Sequence, residues 1–177
     1  MITISEYKPV WPAWFEEVRA CLMEELPEES GIVRVEHIGS TAVPGLAAKP
    51  IIDIHVVIAE GSQLGRMIGQ LAHLGYIYEG DRGVMGQEAF RRRGPDVPLR
   101  DPKRDWAPHH LYVSVEGSRE LDRHLALRDY LREEEADRDA YAALKRDLAG
   151  GEDIDLEAYT AGKSEFIEGI LGKEGRW

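Results

Sequence analysis

Segment 51–58, Ile-Ile-Asp-Ile-His-Val-Val-Ile, constrains the fold of this chain more than any other feature. It is apolar at nearly every position, which is typical of a strand in the interior of a sheet. We therefore expect this segment to be a central strand. Asp53 lies in the middle of it, and a buried carboxylate is costly unless a counter-charge or a metal ion compensates it. The segment thus predicts both a sheet and a place for chemistry.

The rest of the chain alternates between helical and extended apolar patterns. Helical spacing of apolar residues predicts five helices, which cover 11–26, 64–74, 118–132, 141–148 and 156–171. Strand-like segments besides 51–58 are 32–38, 76–78, 87–93 and 109–115. No repeat or linker interrupts this pattern, so we expect one domain over residues 1–177. Its class is α+β (α/β), with a mixed sheet of about five strands flanked by helices and a helical C-terminal third.

The charge of the chain restricts its partners. Acidic residues outnumber basic ones by 33 to 22, which argues against binding to duplex nucleic acid, whose affinity comes largely from Lys and Arg. Residues 81–110 nevertheless carry 7 basic and 5 acidic side chains, so a local site for a small anion is expected. The sequence has no apolar run long enough to span a membrane and no signal peptide. With one cysteine, Cys21, expected to be buried, these features favour a cytoplasmic protein.

A Gly-Ser pair, Gly39-Ser40, ends the predicted strand 32–38. Glycine lets the backbone approach a ligand closely, and Ser40 with the following N–H groups could hold phosphate oxygens. Strand alternation puts Asp53 and His55 on one face, where they could ligate one divalent ion. The structural alternative is that Ser40 and Thr41 cap a helix and that Asp53 pairs with Lys49 or an arginine.

His110 extends this candidate site. Leu111, Val113 and Val115 have the spacing of the core face of strand 109–115, so His110 belongs to the opposite face and His109 to the core face. If this strand neighbours 51–58, then Asp53, His55 and His110 form a set that suits Mn, Zn, Ni or Fe better than Mg. The alternative is a hydrogen-bonded histidine near the surface.

Several basic side chains could contact an anion at this site. The candidates are Lys49, Arg91, Arg128 and Lys163. The alternatives are structural: Arg91 could be solvated on its strand, and Lys163 could extend its charge outward from the apolar face of the last helix.

Four blocks of this sequence together resemble the GrpB family. They are HIGSTAVPGLAAKPIIDI at 37–54, HHLYV at 109–113, GSRELDRHLALRDYLR at 117–132 and YAALKRDLA at 141–149. The resemblance implies the fold of the nucleotidyltransferase superfamily, in which a Gly-Ser or Gly-Gly pair precedes an Asp-x-Asp or Asp-x-Glu motif. Here Asp53-Ile54-His55 follows Gly39-Ser40, so His55 replaces the second carboxylate. The family often has histidine at the position of Tyr112.

The resemblance implies transfer of a nucleotidyl group from a nucleoside triphosphate with the help of divalent metal, Mg or Mn, or a metal that prefers histidine such as Zn or Ni. The implied roles are phosphate binding by Gly39, Ser40 and Thr41, metal binding by Asp53, and ligand or acid–base roles for His55 and His110. Family members occur fused to dephospho-CoA kinase. One alternative is therefore a catalytically silent binding or accessory module that partners a protein of coenzyme A metabolism; the other is a metal-dependent phosphoester hydrolase.

Overall fold

The structure is a computed structural model that describes residues 3–150 and 156–173. Five helices surround one sheet: α1 Trp11–Glu25, α2 Leu64–His73, α3 Arg119–Glu133, α4 Glu135–Gly150 and α5 Leu156–Lys173. The strands are β1 Ile32–Ile38, β2 Ile52–Ile58, β3 Tyr76–Tyr78, β4 Glu88–Arg92 and β5 His109–Val115. This arrangement confirms the predicted mixed five-stranded sheet with helices on its faces and a helical C-terminal region.

The strand order of the sheet is β1-β2-β5-β4-β3. Strands β2 and β5 run parallel, and the other neighbouring pairs are antiparallel. β2 is interior, as its apolar sequence predicts, although β5 holds the middle position. In the parallel pair Asp53 lies opposite His110, and His55 lies opposite Tyr112. The register therefore brings the two chemically informative segments side by side.

The two faces of the sheet carry different side chains. The first face holds the main core, in which Ile52, Ile54 and Leu111 pack with residues of α1 and α2. Cys21 of α1 is in this core, as predicted, and burial raises the pKa of its thiol. The second face carries Asp53 and His110, and a second apolar cluster built from α3, α4, α5 and the loop before β2 lies beside it. Within the two described ranges no helix is long and apolar enough to cross a membrane.

Candidate functional site

Asp53 and His110 meet on the second face of the sheet. Nδ1 of His110 lies 3.0 Å from Oδ1 of Asp53, so an N–H there donates to the carboxylate. Asp53 is partly exposed and His110 is exposed. The cost of placing a carboxylate in an apolar strand is therefore reduced by solvent and by this hydrogen bond.

Gly39 lets the backbone of the loop after β1 lie close to Asp53. Its φ is +73°, and a Cβ at this position would lie 2.4 Å from Oδ2 of Asp53. Only glycine fits this approach without strain. A 3₁₀ turn, Ser40–Ala42, follows. The side chain of Ser40 forms a hydrogen bond with that of Tyr141. The hydroxyl of Thr41 is hydrogen-bonded to Nε2 of His37 at 3.0 Å.

A cavity of about 310 Å³ opens beside Asp53, and we call it the lysine cavity. Its polar lining consists of Ser40, Thr41, Lys49, Asp53, His110, Tyr112, Lys145, Tyr159, Thr160 and Lys163. Three lysines thus face a space to which the described lining residues contribute one carboxylate. The electrostatic potential inside it favours an anion.

Lys49 and Lys163 lie against one aromatic ring, that of Tyr159. Their Nζ atoms are 4.5 Å and 4.4 Å from the ring centroid. Burial lowers the pKa of both amines, and the charge of Lys49 lowers the pKa of Lys163 further. The negative charge of Asp53 opposes the shift in both lysines. An anion placed between them would offset both effects.

Lys145 of α4 is a charged residue of this cavity that the sequence interpretation missed. It is 2% exposed, its Nζ donates to the Ala47 carbonyl, and Nζ lies 4.6 Å from the Tyr141 ring centroid. Burial, and then the charges of Lys163 and Arg146, lower the pKa of this amine to about 7. No ion pair of the described residues involves it. Its position four residues after Tyr141 on an amphipathic helix was the signal for its burial.

His55 does not join Asp53 and His110, which corrects the predicted three-residue site. It is fully buried between the rings of Tyr112 and His124, with centroids 5.0 Å and 5.3 Å away, and Nδ1 shares a hydrogen bond with Ser114. Because side chains alternate along a strand, His55 does lie on the same face of the sheet as Asp53. However, α3 covers β2 at His55 and leaves Asp53 partly exposed. Burial holds the pKa of His55 well below its ordinary value.

A resident metal ion does not fit this arrangement. Among the described residues no group of three or more His, Cys, Asp or Glu side chains could hold one. Asp53 and His110 offer one ligand each, whereas Mg²⁺ prefers oxygen ligands in octahedral geometry and the softer metals take three or four protein ligands. A divalent ion would need most of its ligands from a bound molecule.

The two candidate arginines lie outside the lysine cavity. Arg128 lines a smaller adjoining space of about 190 Å³, and its guanidinium donates to Glu36 and Asp129, each at 2.7 Å, and to the His37 carbonyl at 3.1 Å. It is therefore held in structural contacts. Arg91 extends from β4 on the far side of His110, where its Nε donates to Glu79 at 3.1 Å.

Tyr112 separates these two regions and was not selected from the sequence. It lines the lysine cavity and also the space around Arg91. Burial, with a smaller contribution from the charge of Asp53, raises the pKa of its phenol to about 12. The phenol is therefore a neutral hydrogen-bonding group at neutral pH.

Comparison with known proteins gives matches along nearly the whole chain. The model of the family described as GrpB protein matches residues 1–173. A UPF0157 protein of Halalkalibacterium halodurans is 35% identical over 173 residues, which cover 96% of this chain and 80% of that protein. A UPF0157 protein of Bacillus subtilis is 31% identical, and the chain spans 48% of its length. A dephospho-CoA kinase of Mycolicibacterium paratuberculosis is 25% identical, and the chain spans 45% of it.

Solved structures agree with the fold. The conserved protein GrpB from Enterococcus faecalis superposes with a TM-score of 0.77 at 33% identity, covering 98% of this chain and 100% of that one. The Cid1 poly(U) polymerase superposes with a TM-score of 0.50 at 12% identity, covering 81% of this chain and 42% of that one. At that identity the second likeness concerns the fold alone, which is nucleotidyltransferase-like.

Proposed function

The chain belongs to the GrpB family, and on that premise we propose that its lysine cavity binds the phosphates of a nucleotide or of another phosphorylated small molecule. The observation that carries this proposal is the excess of three lysines over one aspartate in a single cavity. Lysine binds phosphate as a compact point charge, and the partial burial of these lysines strengthens that attraction because it lowers the effective dielectric constant around them. The buried free thiol fits a reducing compartment, so we propose a cytoplasmic role.

The other lining groups suit a nucleotide. The partly exposed ring of Tyr112 presents aromatic surface on which a base could stack, whereas the ring of Tyr159 is buried and supports Lys49 and Lys163. A divalent ion fits as part of the substrate, bound to the phosphates of the nucleotide, with Asp53 and His110 at its side. Mg²⁺ or Mn²⁺ would enter in this way, and Zn²⁺ or Ni²⁺ would gain more from His110.

The reaction that this arrangement supports is nucleotidyl transfer. An acceptor oxygen forms a bond to the α-phosphorus, the bond from that phosphorus to the bridging oxygen breaks, and pyrophosphate leaves with the electron pair. Asp53 accepts the proton of the acceptor hydroxyl, and the N–H of His110 orients the carboxylate. Lys49 and Lys163 neutralise charge on the phosphates.

A second candidate function is binding without turnover. His55 occupies the second position of the Asp-x-His motif and is buried away from the cavity, so the site has one carboxylate where a metal-dependent transferase would use a pair. Such a module could serve an enzyme of coenzyme A metabolism, a role suggested by the likeness to a dephospho-CoA kinase.

Calorimetric titration with the four Mg²⁺-nucleoside triphosphates tests the binding step. Lys163→Met keeps the length and apolar part of the side chain but removes its charge, and it should weaken binding about tenfold or more. Lys103→Met is the matched control, because Lys103 is exposed and pairs with Asp96. Equal affinities for the parent and Lys163→Met would refute the proposed site.

Release of pyrophosphate separates the two functions when it is measured with the same nucleotides, with each divalent metal and with a panel of small acids that carry a hydroxyl group as acceptors. Transfer requires release that depends on Asp53 and is lost in Asp53→Asn. Tight binding with no release under any metal would support the binding module instead.

A further inference from the structure

A second cationic space adjoins the lysine cavity, and we call it the arginine groove. It has a volume of about 340 Å³ and runs over the second face of β4 and β5. The side chains that define it are Glu79, Arg82, Ala89, Arg91, His110 and Tyr112. His110 and Tyr112 line both spaces, so a molecule in the groove lies next to a molecule in the cavity.

The sheet register explains why Arg91 faces this groove. Arg91 follows Phe90, whose partner on β5 is the core residue Leu111, so Arg91 and His110 project from the same face. The next residue, Arg92, projects from the opposite face and donates to the Ala107 carbonyl. The second guanidinium in the groove therefore comes from Arg82, in the connection between β3 and β4.

Arg82 and Arg91 share a single acid. Glu79 accepts from Nη2 of Arg82 through one oxygen and from Nε of Arg91 through the other. Each guanidinium carries five N–H donors, and these side chains remain 59% and 56% exposed, so most of their donors face open space. Glu79 thus fixes two forked donors beside each other and leaves the pair with a net positive charge. Planar forks of this kind match the two oxygens of a carboxylate or phosphate.

We infer that the arginine groove binds the carboxylate or phosphate group of a second substrate, the acceptor, and directs its hydroxyl past His110 towards Asp53. This inference rests on the proposed function, since it assigns the molecule that receives the nucleotidyl group. The acceptor is a small oxyanion that carries a hydroxyl group. It is not a long polymer, because the groove is short and the remainder of the protein is acidic.

The test follows the ¹⁵N-labelled arginine side chains by NMR during titration with inorganic phosphate and, separately, with malonate. The Nε–H signals of Arg82 and Arg91 should shift saturably with at least one of these probes. Arg91→Met should weaken that binding about tenfold, whereas Arg93→Met, an exposed neighbour outside the groove, should leave it unchanged. The stronger probe identifies the acidic group that the groove prefers.

The same variants separate this inference from the proposed function. Nucleotide affinity should be unchanged within about twofold in Arg91→Met, while Lys163→Met should weaken nucleotide binding about tenfold or more and keep the arginine shifts. Absence of saturable shifts at Arg82 and Arg91 with both probes would overturn the inference even if nucleotides bind. Equal loss of phosphate and nucleotide binding in Arg91→Met would also overturn it, because groove and cavity would then be one site.

Discussion

Replacing Lys145 by methionine should stabilise the protein without ligand. The pKa of this amine falls from 10.5 to about 7 on folding, because the charged form loses its hydration. Each unit corresponds to about 1.4 kcal/mol, so below pH 7 the buried charge costs about 5 kcal/mol. Methionine fills nearly the same volume but leaves the Ala47 carbonyl without its donor, a loss of about 1 kcal/mol. We expect a net gain of about 4 kcal/mol near pH 6.

The pH dependence is what identifies the cause. Between pH 7 and 10.5 the unfolded chain binds the proton of Lys145 and the folded chain does not, so the stability of the parent rises with pH. The advantage of Lys145→Met should therefore shrink to about 1 kcal/mol near pH 9. Urea unfolding followed by tryptophan fluorescence at both pH values measures it, with Lys103→Met as the control. A difference between parent and Lys145→Met that does not change with pH would refute this reasoning.

Three further predictions concern Gly39, His109 and Cys21. Gly39→Ala should lower the free energy of unfolding, measured with urea, by about 1–3 kcal/mol, because the alanine would need a positive φ and its Cβ would lie 2.4 Å from Oδ2 of Asp53. Unchanged stability would contradict the described loop. Acidification from pH 7 to 5 should destabilise the protein, because burial lowers the pKa of His109 from 6.5 to about 3, so the unfolded chain binds a proton that the folded chain does not. About 2 kcal/mol of that loss in the free energy of unfolding should disappear in His109→Gln, and unfolding curves at the two pH values measure it. Cys21 should react with a thiol reagent only after unfolding, and fast labelling of the folded protein would contradict its burial.

The strands of the sheet could be predicted from the sequence because the pattern of apolar residues that defines a strand is contained within a few neighbouring residues. The β-branched segment 51–58 and the alternation of 109–115 indicated two strands and the faces of their residues, and the structure pairs Asp53 with His110 across them. The predicted strand 87–93 is also present, slightly shorter, as β4. These features depend on the period of a strand and on the cost of exposing apolar side chains, and both can be read from neighbouring residues.

The errors at the site arose because the packing of the helices against the sheet and its loops determines which side chains are buried and which partners they have. Alternation gave the correct face for His55, but the sequence does not show that α3 covers that part of the face and buries the imidazole. Lys145 was missed for a related reason, because its burial depends on how α4 packs beside the loop before β2. Arg128 lines the adjoining space rather than the lysine cavity, and its donors are taken by Glu36, Asp129 and the His37 carbonyl, contacts that depend largely on the tertiary structure.

Under the proposed function, the lysine cavity would allow a strongly acidic protein to hold an anionic ligand. Lys145 is buried and Lys49 and Lys163 are partly buried, and this burial lowers the pKa values of the three amines, most of all that of Lys145. The lining offers one carboxylate against these three lysines. A phosphate entering the cavity would supply the missing negative charge and raise those pKa values again, so binding should take up protons near pH 7. The cost of the buried charge in the empty protein would then be offset in the complex, which is why a group that destabilises the fold can be retained at a site.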